Sequence, residues 1–204
     1  MGYYTRVLSK RADGPTFDEL QTALRKERAD VKLTMEDGEA SEWTSLLLCH
    51  DDGLEIAEIE RNAVAPDSLG EEEVAEFIEA VADGQPASAA AWLTAYLPEV
   101  KVIYAFRHLS GTEQRQGAEA LGVVRSAIWA RGDAILQADG EGYTNEDGYH
   151  VLWEFSDGVS GPWSMAVLQD AAWVPFQMEL GDRGQRAAFL DGRVPPGVKT
   201  TAVE

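Results

Sequence analysis

The chain has 204 residues, 45% hydrophobic and 26% charged, which suits one large globular domain with a real core and is too apolar for a disordered chain. Its 17 Lys and Arg against 36 Asp and Glu leave a formal charge of −19, which argues against direct binding to a nucleic-acid backbone or an anionic membrane surface. A single cysteine, Cys49, excludes an internal disulfide and a cysteine-based zinc site.

In chain order, a first strand is expected over residues 3–9. Arg6, Lys10 and Arg11 lead into Asp13-Gly14-Pro15, where a secretory leader would carry an apolar run, and Arg6 occupies the place where a myristoylation signal needs Ser or Thr. The longest apolar runs, such as residues 46–49, are far shorter than the roughly 18 residues of a spanning helix, so a soluble, cytoplasmic protein is expected. Three pairs with capping-box spacing, Thr16 with Glu19, Ser68 with Glu71 and Ser110 with Glu113, each predict a helix start. The first helix presents Phe17, Leu20 and Leu24 and should end near Arg28.

Strands are expected over residues 31–36, 43–50 and 54–62. Five Asp-Gly dipeptides, at Asp37, Asp52, Asp139, Asp147 and Asp157, predict hairpin turns and therefore antiparallel sheet. In the second helix Val74, Phe77, Ile78 and Val81 recur at helical spacing, with Glu71, Glu72, Glu73, Glu76, Glu79 and Asp83 on the opposite face. An Ala-rich helix over residues 86–97 carries Trp92, Leu93, Tyr96 and Leu97 and stops at Pro98. A strand over 101–108 precedes the third capped helix, whose Ala118, Leu121, Val124 and Ile128 share a face and which stops at Gly132. Strands over 134–139, 149–155 and 163–169, an extended piece over 173–180 and a loose tail over 193–204 complete the chain.

The two halves share an order. YTRVLS at residues 4–9 matches YAFRHLS at 104–110, and LTMEDGE at 33–39 matches LQADGE at 136–141, with Gly38 lying 29 residues after Ser9 and Gly140 lying 30 after Ser110. The expected fold is α+β: antiparallel sheets covered by helices, as a tandem duplication of a β-α-β-β-β unit. The copies would be residues 1–65 and 101–192, with residues 66–100 as an acidic helical insert, all in one compact domain.

Chemistry-bearing motifs are scarce. Cys49 and His50 are strand neighbours on opposite faces, with Cys49 read as a small core residue. His50, His108 and His150 have no metal-site spacing, and the acidic loop around Asp139, Glu141, Asn145 and Asp147 fits no calcium-loop register, so no catalytic residue, metal or cofactor is assigned. Among the six Trp residues, Trp163 and Trp173 sit beside loop-like breaks and are candidate interface anchors.

Charge carries the sharper signal. Residues 35–100 hold one base, Arg61, against seventeen acids. The first expectation is thus a non-enzymatic interaction protein whose acidic helix meets a basic protein, as an inhibitor, an immunity-type protein or a nucleic-acid mimic would. The alternative is an enzyme or small-molecule binder with a pocket between the duplicated halves, lined by aromatics such as Trp153 and Phe155. A self-assembling structural subunit ranks third.

Overall fold

The computed structural model describes residues 2–27 and 30–200. In chain order its elements begin with β1 (Tyr4–Ser9), α1 (Phe17–Glu27), β2 (Val31–Glu39), β3 (Glu42–His50), β4 (Glu55–Ala63), α2 (Leu69–Val81) and α3 (Ala87–Tyr96). They continue with β5 (Val102–His108), α4 (Arg115–Trp129), β6 (Ala134–Ala138), β7 (Gly142–Thr144) and β8 (His150–Trp153). The last three are β9 (Pro162–Gln169), β10 (Ala172–Glu179) and α5 (Arg183–Leu190). The fold is α+β, with five α-helices and ten mostly antiparallel strands among the described residues.

Two compact units divide the chain, residues 1–71 with 100–134 and residues 72–99 with 135–204. In unit 1 the strand order is β1-β5-β4-β3-β2, every pair antiparallel. Of the matched segments, 4–9 and 104–110 are neighbours here: β1 and β5 pair from Tyr4↔Arg107 to Ser9↔Val102, and α1 packs on α4. Val7, Leu20, Leu46, Leu48, Ile59, Phe106 and Val124 are sealed from solvent in this unit's core. In β3 the alternation buries Leu46, Leu48 and His50 and leaves Leu47 and Cys49 half-exposed, so the strand period puts the histidine inside and removes Cys49 from the core role expected of it.

In unit 2 the order is β6-β7-β8-β9-β10. Phe155, Met165, Val167, Phe176, Met178, Leu180 and Phe189 form its core cluster, with Val194 and Val198 packed against it. Those two valines, and a bridge from Phe176 to Thr200, tie residues 193–200 down where a loose tail was expected; residues 201–204 lie outside the described residues.

Helix starts follow the capping signals unevenly. At Thr16 the box is complete: the Glu19 amide donates to Thr16 Oγ1 at 3.2 Å and the Thr16 amide to Glu19 Oε2 at 2.7 Å. That amide first, and then Arg131, hold the Glu19 carboxyl below its ordinary pKa. Arg28, where this helix was expected to end, lies outside the described residues, and α1 is described as far as Glu27. At Ser110 the expectation fails, because Ser110–Glu113 forms a 3-10 turn and α4 opens at Arg115 with no side-chain cap. Packing decides this start: a Cβ on Gly111 would stand 2.6 Å from Glu55 O, so the turn is pressed against the sheet. The buried face of α4 is Gly117, Ala120, Leu121, Val124 and Ile128, with Ala118 turned outward.

The Asp-Gly signals also divide. Asp52, Asp139 and Asp147 precede turns between antiparallel neighbours, whereas Asp37-Gly38 lies inside β2 as an irregularity opposite Trp43 and Ser45. Asp157-Gly158 joins β8 to β9, which pair in parallel at His150↔Met165, so no hairpin forms there. Two elements went unforeseen: β7, only three residues long, and α5, whose cap is Asp182, its carboxylate accepting from Gly184 N at 2.8 Å and Gln185 N at 3.0 Å.

The β9–β10 hairpin has no glycine at all. Its turn residues Asp170 and Ala171 both take left-handed conformations, φ 49° and 63°, as a two-residue primed turn requires. An alanine there is strained by about 1 kcal/mol. Ala171→Gly is therefore expected to stabilise the protein by up to about 1 kcal/mol, read from urea unfolding midpoints; an unchanged or lowered midpoint contradicts the strain.

Candidate functional site

Helix α2 begins on a tightly specified corner. Ser68 Oγ accepts the Glu71 amide at 3.2 Å and donates to Ala63 O at 3.2 Å, while the Glu71 carboxylate accepts the Asp67 amide at 2.8 Å. Asp67 itself is left-handed, φ 61°, and a Cβ on Gly70 would lie 2.7 Å from Ala63 O, so only glycine lets the first turn come this close to the end of β4. Glu71 is thereby a capping residue, spent on the helix start.

Beyond the corner the amphipathic reading holds. Val74 and Val81 are buried, Ile78 is half-buried, and the Phe77 ring meets Tyr143 edge-on at 6.4 Å. On the outer side Glu72, Glu76 and Glu79 are exposed and make no ion pair with any described residue. The helix has no basic residue in its last turn. Glu73 is half-buried, and Asp83 lies in the turn beyond Val81, exposed but off the helix on which it was expected.

A feature missed by the periodicity argument heads this stripe. Leu69 is 80% exposed, and positions 69, 72, 76 and 79 fall on one line along a helix surface. The helically spaced apolar residues start at Val74, inside the helix, and do not include Leu69, its large apolar side chain that faces water. An exposed leucine ahead of three carboxylates gives a surface with an apolar anchor and an acidic rim.

Trp163 and Trp173 fall in two different aromatic groups. Trp163, 38% exposed, stands at right angles to His150 (6.5 Å) and near-perpendicular to Phe155 (5.4 Å). Trp173 is half-buried and meets Trp92 edge-on at 5.2 Å. Trp153 and Phe155, read as pocket walls, are packing residues: they lie 5.1 Å apart, with Phe155 in the core cluster and the Arg186 guanidinium 4.9 Å over Trp153.

The histidines occupy three separate environments. His50 Nε2 lies 3.4 Å from Gly111 O, and His108 Nε2 lies 3.0 Å from Thr5 Oγ1. His150 is 3% exposed with its Nε2 unpartnered, and burial pushes its pKa down to about 4. In the acidic loop Asn145 turns inward, its Oδ1 accepting from Asp147 N at 3.2 Å and Tyr149 N at 2.9 Å, which makes the segment a pair of turns. Among the described residues no three His, Cys, Asp or Glu side chains converge as metal ligands would, and no helix is long and apolar enough to cross a membrane. Compared with known proteins, the chain matches no family, no curated protein and no solved structure.

Proposed function

We propose that the protein is a non-enzymatic interaction protein whose α2 surface engages a basic surface on another protein. The observation that carries this reading is the line Leu69, Glu72, Glu76 and Glu79, exposed on a helix with no basic residue set against it. Three like charges on one helix face repel one another. A cationic partner removes that repulsion and is drawn in by the long-range field of a chain carrying −19. Inhibition of a basic enzyme, an immunity-type role or mimicry of a nucleic acid all fit such a surface.

The test is capture from a lysate of the native host, washed at low salt and at about 0.5 M, where screening shortens the field to a few ångströms. A basic protein retained at low salt and released at high salt is expected. The triple variant Glu72→Lys, Glu76→Lys, Glu79→Lys should then bind that protein about ten- to a hundred-fold more weakly, chiefly through slower association. If a correctly folded triple variant binds it as the wild type does, the stripe is no more than wet surface.

A further inference from the structure

We propose that a cleft in unit 1 is a binding site for a small organic monocarboxylate, whose charged group is held by Arg61 and Lys101 and whose apolar body rests on Val64 and Val102. The cleft has a volume of about 420 Å³, within the range of small-molecule sites. Arg61 is the one base among the eighteen charged residues of 35–100. It is half-buried in the cleft wall and gives one of its five donors to Ala12 O at 3.0 Å. Neither Arg61 nor Lys101 forms an ion pair with a described residue.

The walls are set by backbone and ring contacts, so the two cations are presented by a formed surface. The Val64 amide donates to Lys101 O at 2.8 Å, fixing the two sides of the cleft to each other. Trp43, also in the wall, is fully buried and anchored by its indole N–H on Pro15 O at 2.9 Å. Behind it, 5.8 Å away, is Tyr104, which faces Arg61 across the β4–β5 register and whose buried hydroxyl lies beside the Arg61 guanidinium. Burial raises the Tyr104 pKa, so this hydroxyl keeps its proton.

Charge selects the ligand class. Glu42 also lines the cleft, so Arg61 and Lys101 leave a local surplus of one positive charge, and a monoanion matches it. A dianion would meet the field of the surrounding acids with nothing left to offset its second charge. The guanidinium's planar fork suits a carboxylate, and the floor of Ala63, Val64 and Val102 suits a hydrocarbon body.

The experiment titrates 2-naphthoate, its uncharged twin 2-naphthamide and inorganic phosphate into the full chain, following the Trp43 indole N–H by NMR. Saturable shifts with naphthoate at a Kd below about 1 mM, and binding of naphthamide and phosphate at least about ten-fold weaker, are expected. Lys101→Gln, whose side chain supports no described ion pair, should weaken naphthoate several-fold, and Arg61→Gln by about ten-fold. Equal binding of naphthoate and naphthamide, phosphate binding as tightly as naphthoate, a silent Trp43 signal, or a folded Lys101→Gln protein with unchanged affinity each overturns the proposal. None of these readouts involves α2, so failure here leaves the acidic-surface reading standing, and the reverse.

Discussion

Taking the protein from pH 7 to pH 4 is expected to remove about 3 kcal/mol of folding stability through one side chain, His150. Its ring is 3% exposed, tilted against Phe155 at 4.8 Å with Trp163 at 6.5 Å, and its Nε2 has no partner to share a charge with. Burial therefore lowers the pKa from 6.5 to about 4. The unfolded chain takes up a proton as pH falls through 6.5, while the folded chain resists until about 4, so in this window the unfolded state binds more protons and is favoured as pH falls. The stability is present above pH 6.5, is lost progressively as pH falls through about 4, and levels off below that. Carboxylates titrate over the same range, so the measurement is a difference: urea unfolding of wild type and His150→Phe at a series of pH values. The wild type should lose about 3 kcal/mol more than the variant between pH 7 and 4, a sizeable part of a typical 5–15 kcal/mol total. Parallel curves would show that His150 does not stay neutral in the fold.

A different histidine, His50, marks how far the sequence could be read. Period-two alternation, applied correctly, sends His50 inward and Cys49 outward; the apolar run Leu46-Leu47-Leu48 concealed this by making both faces look buried. Local signals succeeded where local chemistry decides, as at Thr16 and Ser68, and failed at Ser110, where the distant carbonyl of Glu55 sets the turn. The resemblance of residues 4–9 to 104–110 was read as two copies of a unit, and it carried no sign that β5 would pair with β1, or that β5 and α4 would join unit 1. The acidic stripe was legible because one helix carries it. The cleft was not, since Trp43, Arg61 and Lys101 come from separate segments and meet only through β-pairing and the Val64–Lys101 bond. Trp153 and Phe155 misled for the opposite reason, because an aromatic pair in a strand has the same pattern whether it lines a pocket or fills a core.

Gly142→Ala is expected to be among the most damaging single-methyl changes in the protein, at about 3 kcal/mol or more. Gly142 is buried in β7, paired with Ala138 on one side and Trp153 on the other, and it has φ 118°, which an L side chain rarely adopts. An added Cβ would stand 2.0 Å from Leu152 O and 3.2 Å from Glu154 N, both backbone atoms that move only if β8 moves. The control is Gly140→Ala, in the preceding turn, where φ is also positive at 69° but the added methyl meets open space. That variant should lose only about 1 kcal/mol, the conformational cost alone, so the difference between the two isolates the close approach. The consequence reaches His150, which opens β8 two residues before Leu152. If β8 is pushed outward, His150 loses part of its burial and its pKa should climb from about 4 back toward 6.5, visible in the ring-proton titration of any Gly142→Ala protein that still folds. Equal unfolding midpoints for the two variants would mean that the strand yields without cost, and an unmoved His150 titration would mean that β8 holds its place while β7 gives way.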